Sequence, residues 1–330
     1  MIGCGSVAET KSGPAFYTCS GSQLTYVMSN NAEKTKAFAE RHNIDNWTVD
    51  YHELLNSNLV DAVYVATPPD SHVFYGKLAA DAGKPVLVEK PLSQSLAEAE
   101  ALVTYCSKKN VPLYVAYYRR GLPRFLKVKE MLDEGVIGKV RFVHVQHTES
   151  PEEHGVSPID STNIPLRQDL PWRFKPEISG GGNFVDCGTH MIDMLDFLLG
   201  PITQLRGNAI NVGGIYPAED SVCASFMIGD DILGSGEWNY VCGKKTDRLE
   251  IVGSVGSIRI SSFDDKPIEL WVDGNLEMIE ARNPEYWSQP FIQTVVDAIS
   301  GKGECNSGGD NALRAMRCQE VLLADYYAIS

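Results

Sequence analysis

Val60-Asp-Ala-Val-Tyr-Val-Ala66, a helical-period stretch over residues 71–82, and Pro85-Val-Leu-Val88 form one strand–helix–strand unit, and its repetition decides the fold. Upstream, Leu24-Thr-Tyr-Val-Met28 reads as a strand and residues 32–42 as a helix. Downstream, residues 96–108 read as a helix and Pro112-Leu-Tyr-Val115 as a strand. Near-continuous Val, Leu and Ala runs belong to strands covered on both faces, and strands separated by helices lie parallel. The first third is therefore expected to be a doubly wound α/β domain.

Gly3-Cys-Gly5-Ser6-Val7-Ala8 stands at the head of this array as a G-x-G-x-x-A. Glycines there allow a tight turn and close backbone approach to a pyrophosphate, whose charge then sits at a helix N-terminus. A plain turn is the rival reading, but the place before alternating strands and helices favours a Rossmann-type dinucleotide site. Only Met1 and Ile2 precede Gly3. The central first strand is thus abnormally short or lies upstream of the first residue. The second is expected, because a missing central strand leaves its neighbours' edges unpaired. At the end of the second strand, where an acidic residue binds the ribose hydroxyls of NAD, the chain has Ser29 and Asn30. No carboxylate there repels a 2′-phosphate and no adjacent arginine binds one. The expected cofactor is NADP or NAD, with a lean to NADP.

Composition bounds what such a protein does. Its 330 residues suggest two domains. The 43 Asp and Glu against 29 Lys and Arg leave a net charge of −14, which argues against nucleic acid and against anionic lipid as partners. No apolar run approaches the roughly 18 residues of a membrane span, and the cytoplasm is the expected compartment. The eight cysteines are scattered without a C-x-x-C pair. Neither a disulfide framework nor a metal site is expected.

Residues 116–123, Ala-Tyr-Tyr-Arg-Arg-Gly-Leu-Pro, read as a hinge, which places the domain boundary at residue 120: residues 1–120 for the dinucleotide, 121–330 for substrate and oligomer contacts. Helices are expected over residues 125–134, 183–199, 286–299 and 310–328, the last with Asp310 as N-cap. Strands are expected over residues 204–212, 221–228, 232–241, 248–252 and 257–261. Short turns at Gly229-Asp-Asp231 and Gly253-Ser-Val-Gly256 favour antiparallel neighbours. Residues 148–168, polar and broken by Pro151, Pro158 and Pro165, read as a long loop.

Three segments carry a resemblance. Ala66-Thr67-Pro68-Pro-Asp-Ser-His72 closes one strand, Val88-Glu89-Lys90-Pro91 closes the next, and Gly180-Gly-Gly-Asn-Phe-Val-Asp186-Cys-Gly-Thr-His190 opens a later helix. With Gly3 and Gly5, these resemble the Gfo/Idh/MocA family of oxidoreductases over essentially the whole chain. The resemblance implies a dinucleotide-binding domain followed by an α+β domain with a large, open, mostly antiparallel sheet. It implies an oligomer, a homodimer or homotetramer, built through the free face of that sheet.

The residues themselves suit this chemistry. Ligands of doubly wound sheets bind outside the carboxyl ends of the strands, where Thr67, Pro68, His72, Glu89, Lys90 and Pro91 stand. A lysine there stabilises a developing alkoxide and orients its carbon toward a nicotinamide. Asp186 and His190, four apart, are expected to share one helical face, and Asp193 continues that stripe. A carboxylate beside an imidazole holds its tautomer for proton transfer, although an ordinary surface pair has the same spacing. Carried over from the family, Lys90, Asp186 and His190 form the catalytic set. Tyr117 and Arg120 are expected to border the cofactor cleft, Arg120 on the cofactor and Tyr117 on the substrate. Trp172 and Arg173 resemble the tryptophan–arginine pair of sugar-acting members. The rival reading packs Trp172 at the domain interface and pairs Arg173 with an acid.

The expected function is NAD(P)-dependent hydride transfer to or from a hydroxyl carbon of a sugar or polyol. A glycosidase using transient oxidation and a dinucleotide-sensing regulator are the alternatives.

Overall fold

The computed structural model describes residues 1–154 and 170–329, so most of the long loop expected at residues 148–168 lies outside the described residues. The chain divides into two compact units, Met1–Leu122 with Asn283–Leu313, and Pro123–Arg282 with Arg314–Ser330. A single cut at residue 120 leaves out the return of Asn283–Leu313 to the first unit.

In the first unit, strands β1 (Tyr26–Met28), β2 (Asn46–Thr48), β3 (Val63–Val65), β4 (Val86–Val88) and β5 (Leu113–Val115) are all parallel to their strand partners. Ile2 bridges in parallel to Met28 on one side and Val65 on the other. The order is therefore β2-β1-Ile2-β3-β4-β5, that of a doubly wound dinucleotide fold. The central place is held by one bridging residue, and the edges of β1 and β3 are paired through it. Every residue of β3 and β4 is buried, which is why their sequences show no alternation. Helices start where caps direct them: Asn31 accepts from Lys34 N, and Ser95, in a Ser-x-x-Glu box, from Glu98 N. Phe291, Ile292 and Val295 of the helix Gln289–Ile299 join the same core as Val27, Phe38, Tyr64 and Leu87, which draws the return segment into this unit.

In the second unit, strands β6 (Val140–Thr148), β7 (Ile202–Ile210), β8 (Ser221–Ile228), β9 (Ile232–Asn239), β10 (Thr246–Gly253), β11 (Gly256–Ile260), β12 (Ile268–Val272) and β13 (Asn275–Ile279) form one sheet. Its order is β13-β12-β11-β10-β6-β9-β8-β7, antiparallel everywhere except β6 with β9. The sequence reading missed β6, β12 and β13. Their signals were present: Val143, Val145 and His147 alternate inward along β6, and Asp273-Gly274, both at positive φ, make the two-residue turn joining β12 to β13. Phe184 meets Trp238 of β9 edge-on at 5.1 Å, and Trp238 Nε1 donates to Met191 Sδ at 3.3 Å, so the helix Thr189–Leu199 lies on the buried face.

The expected single helix over residues 183–199 is two elements, a π-helical turn Phe184–Gly188 and the α-helix Thr189–Leu199. The final helix begins at Gly309, and Gly308 N donates to the Asn311 side chain at 2.7 Å, in place of the expected Asp310 cap.

Candidate active site

Gly3 has φ +102°, and a Cβ added there would lie 2.6 Å from the Ala66 carbonyl oxygen. The turn after Ile2 therefore packs backbone against backbone on the end of β3, and only glycine fits. Gly5 and Ser6 are exposed, with nothing within 4 Å of the Gly5 Cβ position. From residue 6 the chain turns helical through a π-helical stretch Ala8–Ser12 into Gly13–Thr18. Val7 is half-buried and Ala8 belongs to the core. An uncovered glycine turn at the head of a helix fits a pyrophosphate.

At the end of β1, Ser29 Oγ hydrogen-bonds Thr35 Oγ1, whose own hydroxyl donates to the Asn31 carbonyl at 2.7 Å. Ser29 Oγ also lies 3.4 Å from the Asn31 carbonyl oxygen. Asn30 is exposed and Asn31 caps the following helix.

The ends of β3 and β4 are tied together by His72. Its Nε2 faces the Thr67 carbonyl oxygen at 2.7 Å and its Nδ1 the Pro91 carbonyl oxygen at 2.9 Å, with no part of the side chain exposed. Burial pushes its pKa down to about 4, so at neutral pH the ring has a single N–H to give. His72 was expected among the cofactor contacts; its ring is sealed between the turns at Thr67–Pro68 and Lys90–Pro91. Glu89 accepts from the Tyr64 hydroxyl and, at 3.2 Å, from the Lys90 amide, and burial raises its pKa. Lys90 is half-exposed beyond β4, and the Lys90–Pro91 peptide is cis. Tyr117 is fully buried, and the buried Arg120 donates from Nη1 to the Asn306 carbonyl at 3.0 Å.

In the second unit, Asp186 lies in the π-helical turn and His190 in the first turn of the helix that follows. Asp186 Oδ2 accepts from Arg173 Nε at 2.8 Å, and the Arg173 guanidinium lies 4.4 Å from the centroid of the Trp172 ring. Arg173 does pair with an acid, and that acid belongs to the candidate catalytic set. His190 is buried on the helix that follows, edge-on to Phe263 at 6.2 Å, and Asp193 is buried one turn further. Trp172, Arg173, Asp186 and His190 thus share one unit, while the glycine turn, Thr67, Glu89, Lys90 and Pro91 share the other.

Sequence reasoning missed two groups beneath these residues. Tyr64, which holds Glu89, stood out as a tyrosine in an aliphatic buried strand. Glu219 was signalled by an acidic pair, Glu219-Asp220, directly before the apolar strand β8.

Residues 1–117 match the model of the oxidoreductase family with an NAD-binding Rossmann fold, and residues 125–259 match the GFO/IDH/MocA C-terminal domain. The chain belongs to the Gfo/Idh/MocA oxidoreductase family. Oxidoreductase P35 of Formosa agariphila is 37% identical over 296 residues, covering 90% of this chain and 88% of that one. D-xylose 1-dehydrogenase [NADP(+)] of Haloarcula marismortui is 26% identical over 309 residues, 88% and 80% of the two chains. Among solved structures, levoglucosan dehydrogenase in complex with NADH and levoglucosan superposes with a TM-score of 0.85 at 20% identity, covering 100% of this chain and 96% of that one, which shows the shared fold. The chain is thus an NAD(P)-binding oxidoreductase of the dehydrogenase/reductase kind. The relatives' names favour hydride transfer over the glycosidase and regulator readings. Among the described residues no helix is long and apolar enough to cross a membrane.

Proposed function

We propose that this protein is a sugar or polyol dehydrogenase in which residues 1–120 bind the dinucleotide and residues 121–330 the substrate. The observation that carries the reading is Lys90, half-exposed at the carboxyl end of β4, where such sheets bind their ligands. Gly3, Gly5, Ser6, Val7 and Ala8 hold the pyrophosphate, Ser29 and Asn30 the adenosine ribose, and the turns at Thr67–Pro68 and Glu89–Pro91 the nicotinamide side. When bound, the dinucleotide supplies the hydride acceptor. Lys90 donates a hydrogen bond to the substrate hydroxyl oxygen and stabilises the negative charge that grows there. His190 takes the hydroxyl proton, and Asp186, itself held by Arg173, orients His190. Trp172 offers an apolar face to a sugar ring and Arg173 donors to its hydroxyls. In reduction the same groups work in reverse.

NADP is the preferred cofactor. This rests on the absence of a carboxylate at Ser29-Asn30-Asn31 and is in keeping with the NADP(+) dependence named for the Haloarcula relative. Ser29→Asp is expected to shift the NADP-to-NAD ratio of kcat/KM toward NAD by about 100-fold, since a carboxylate repels the 2′-phosphate and binds ribose hydroxyls. Paired steady-state assays measure it, and an unchanged ratio removes position 29 from cofactor choice. The protein works in the cytoplasm as a homodimer or homotetramer through the free face of the large sheet, which light scattering tests. A screen of sugars, inositols and keto-sugars with both dinucleotides tests the function. Firm dinucleotide binding without turnover on any of them overturns it.

A further inference from the structure

We propose that Glu219 is a positioning residue for the reaction: its buried carboxylate holds the Gly182 peptide, and through it the turn that carries Asp186 and leads to His190. The inference rests on the proposed roles of those two residues.

Glu219 has no exposed surface. Its Oε1 and Oε2 accept from Gly182 N at 2.8 and 2.9 Å, and the Tyr327 hydroxyl of the last helix donates to Oε2 at 2.5 Å. On its other side, the Gly182 carbonyl accepts from Val185 N at 3.1 Å and from Asp186 N at 3.3 Å. The single residue Gly182 therefore joins the carboxylate, through its amide, to the first bonds of the π-helical turn, through its carbonyl, and Asp186's own amide is among them. The approach is close enough to require glycine: a Cβ on Gly182 would lie 2.4 Å from the Glu219 carbonyl oxygen. A buried carboxyl group is costly to keep unless hydrogen bonds satisfy it, and here both oxygens are engaged by the Gly182 amide and the Tyr327 hydroxyl.

The surroundings set the proton balance. Asp220 beside Glu219, Tyr326 and Tyr327 on the last helix, and Tyr216 and Tyr240 flanking β8 and β9 are the titratable groups that face it. Burial pushes the Glu219 pKa up to about 7, while the Tyr327 and Gly182 bonds pull it down. The native protein thus keeps a proton that the unfolded chain releases between the ordinary carboxylate pKa and about 7. Stability from this group is fully present below that window and is lost as pH rises through it.

Three measurements on the full chain test the proposal. Hydrogen exchange over residues 180–190 reads the hold on Gly182 without any substrate. Turnover at saturating substrate reads its consequence, and unfolding stability against pH reads the buried proton. E219Q keeps a carbonyl acceptor for Gly182. It is expected to retain amide protection, to stay within about fivefold of wild-type kcat, and to lose the extra fall in stability toward pH 7. E219L removes the acceptor at similar volume and is expected to lose protection about 10-fold and kcat about 100-fold, with dinucleotide affinity unchanged. Wild-type protection in E219L, or loss of protection in E219Q, overturns the hold, and the E219Q result decides if E219L does not fold. Lost protection in E219L with unchanged kcat overturns the positioning role. A wild-type protein that turns over no sugar overturns the dehydrogenase reading separately, because the exchange measurement needs no activity.

Discussion

Lys90→Ala is expected to lower turnover about 10³-fold while changing dinucleotide affinity by less than about threefold. The ammonium is worth most where charge develops, on the substrate oxygen as the hydroxyl loses its proton and before hydride leaves the adjoining carbon. In the ground state that oxygen is neutral, and in the proposed reading the pyrophosphate is held by the glycine turn instead. The loss should therefore appear in kcat and kcat/KM together, with the dinucleotide dissociation constant, read by quenching of protein fluorescence, almost unmoved. Equal turnover in the mutant would remove Lys90 from the mechanism. Because Glu89 accepts from the Lys90 amide and His72 faces the Pro91 carbonyl, the backbone of this turn keeps its ties when the side chain is cut back. A catalytic loss is then separable from a folding loss.

Gly3→Val is expected to abolish dinucleotide binding, with affinity down at least about 100-fold, and to destabilise the fold by about 3 kcal/mol. The added Cβ would stand 2.6 Å from the Ala66 oxygen and 2.7 Å from the Ala66 carbon, at a φ of +102°. Both neighbours are backbone, so relief requires moving β3 away from Ile2, whose amide and carbonyl bond Tyr64 O and Ala66 N at 2.8 and 2.7 Å. Gly5→Ala is the matched control. Its Cβ meets no protein atom, so stability should be unchanged and any loss of binding must come from the dinucleotide itself. Chemical denaturation and fluorescence titration of both variants make the comparison. Wild-type binding by Gly3→Val would exclude this turn as the pyrophosphate site.

These two residues also mark how much of the site could be read from the chain. Gly3 and Lys90 are legible because their meaning is local: a glycine at a forced turn, and a cation two residues beyond a buried strand. Asp186 and His190 are legible as residue types but not as geometry. A hydrophobic stretch over residues 183–199 reads as one regular helix, and nothing local in it marks the π-helical turn at Phe184–Gly188. The turn is settled by contacts distant in sequence, Phe184 against Trp238 and Gly182 against Glu219. The pairing of Arg173 with Asp186 is equally invisible, since an arginine's long side chain chooses among acids only once the backbone is placed.

Legible in the chain alone were the parallel α/β character of the first unit, the glycine turn at its head and the oxidoreductase family, but not the short strand β2, Asn46–Thr48, which has no apolar run. Each of the legible features is written in short-range patterns: apolar runs, caps, and glycines where no side chain fits. Tertiary structure alone decided that residues 283–313 return to the first unit, that His72 is sealed between two turns, and that a buried glutamate holds the turn bearing Asp186. An amphipathic helix has an apolar face without an address, and a polar side chain shows neither its burial nor its partner. Both are settled only when segments far apart in the chain compete for the same core and the same hydrogen bonds.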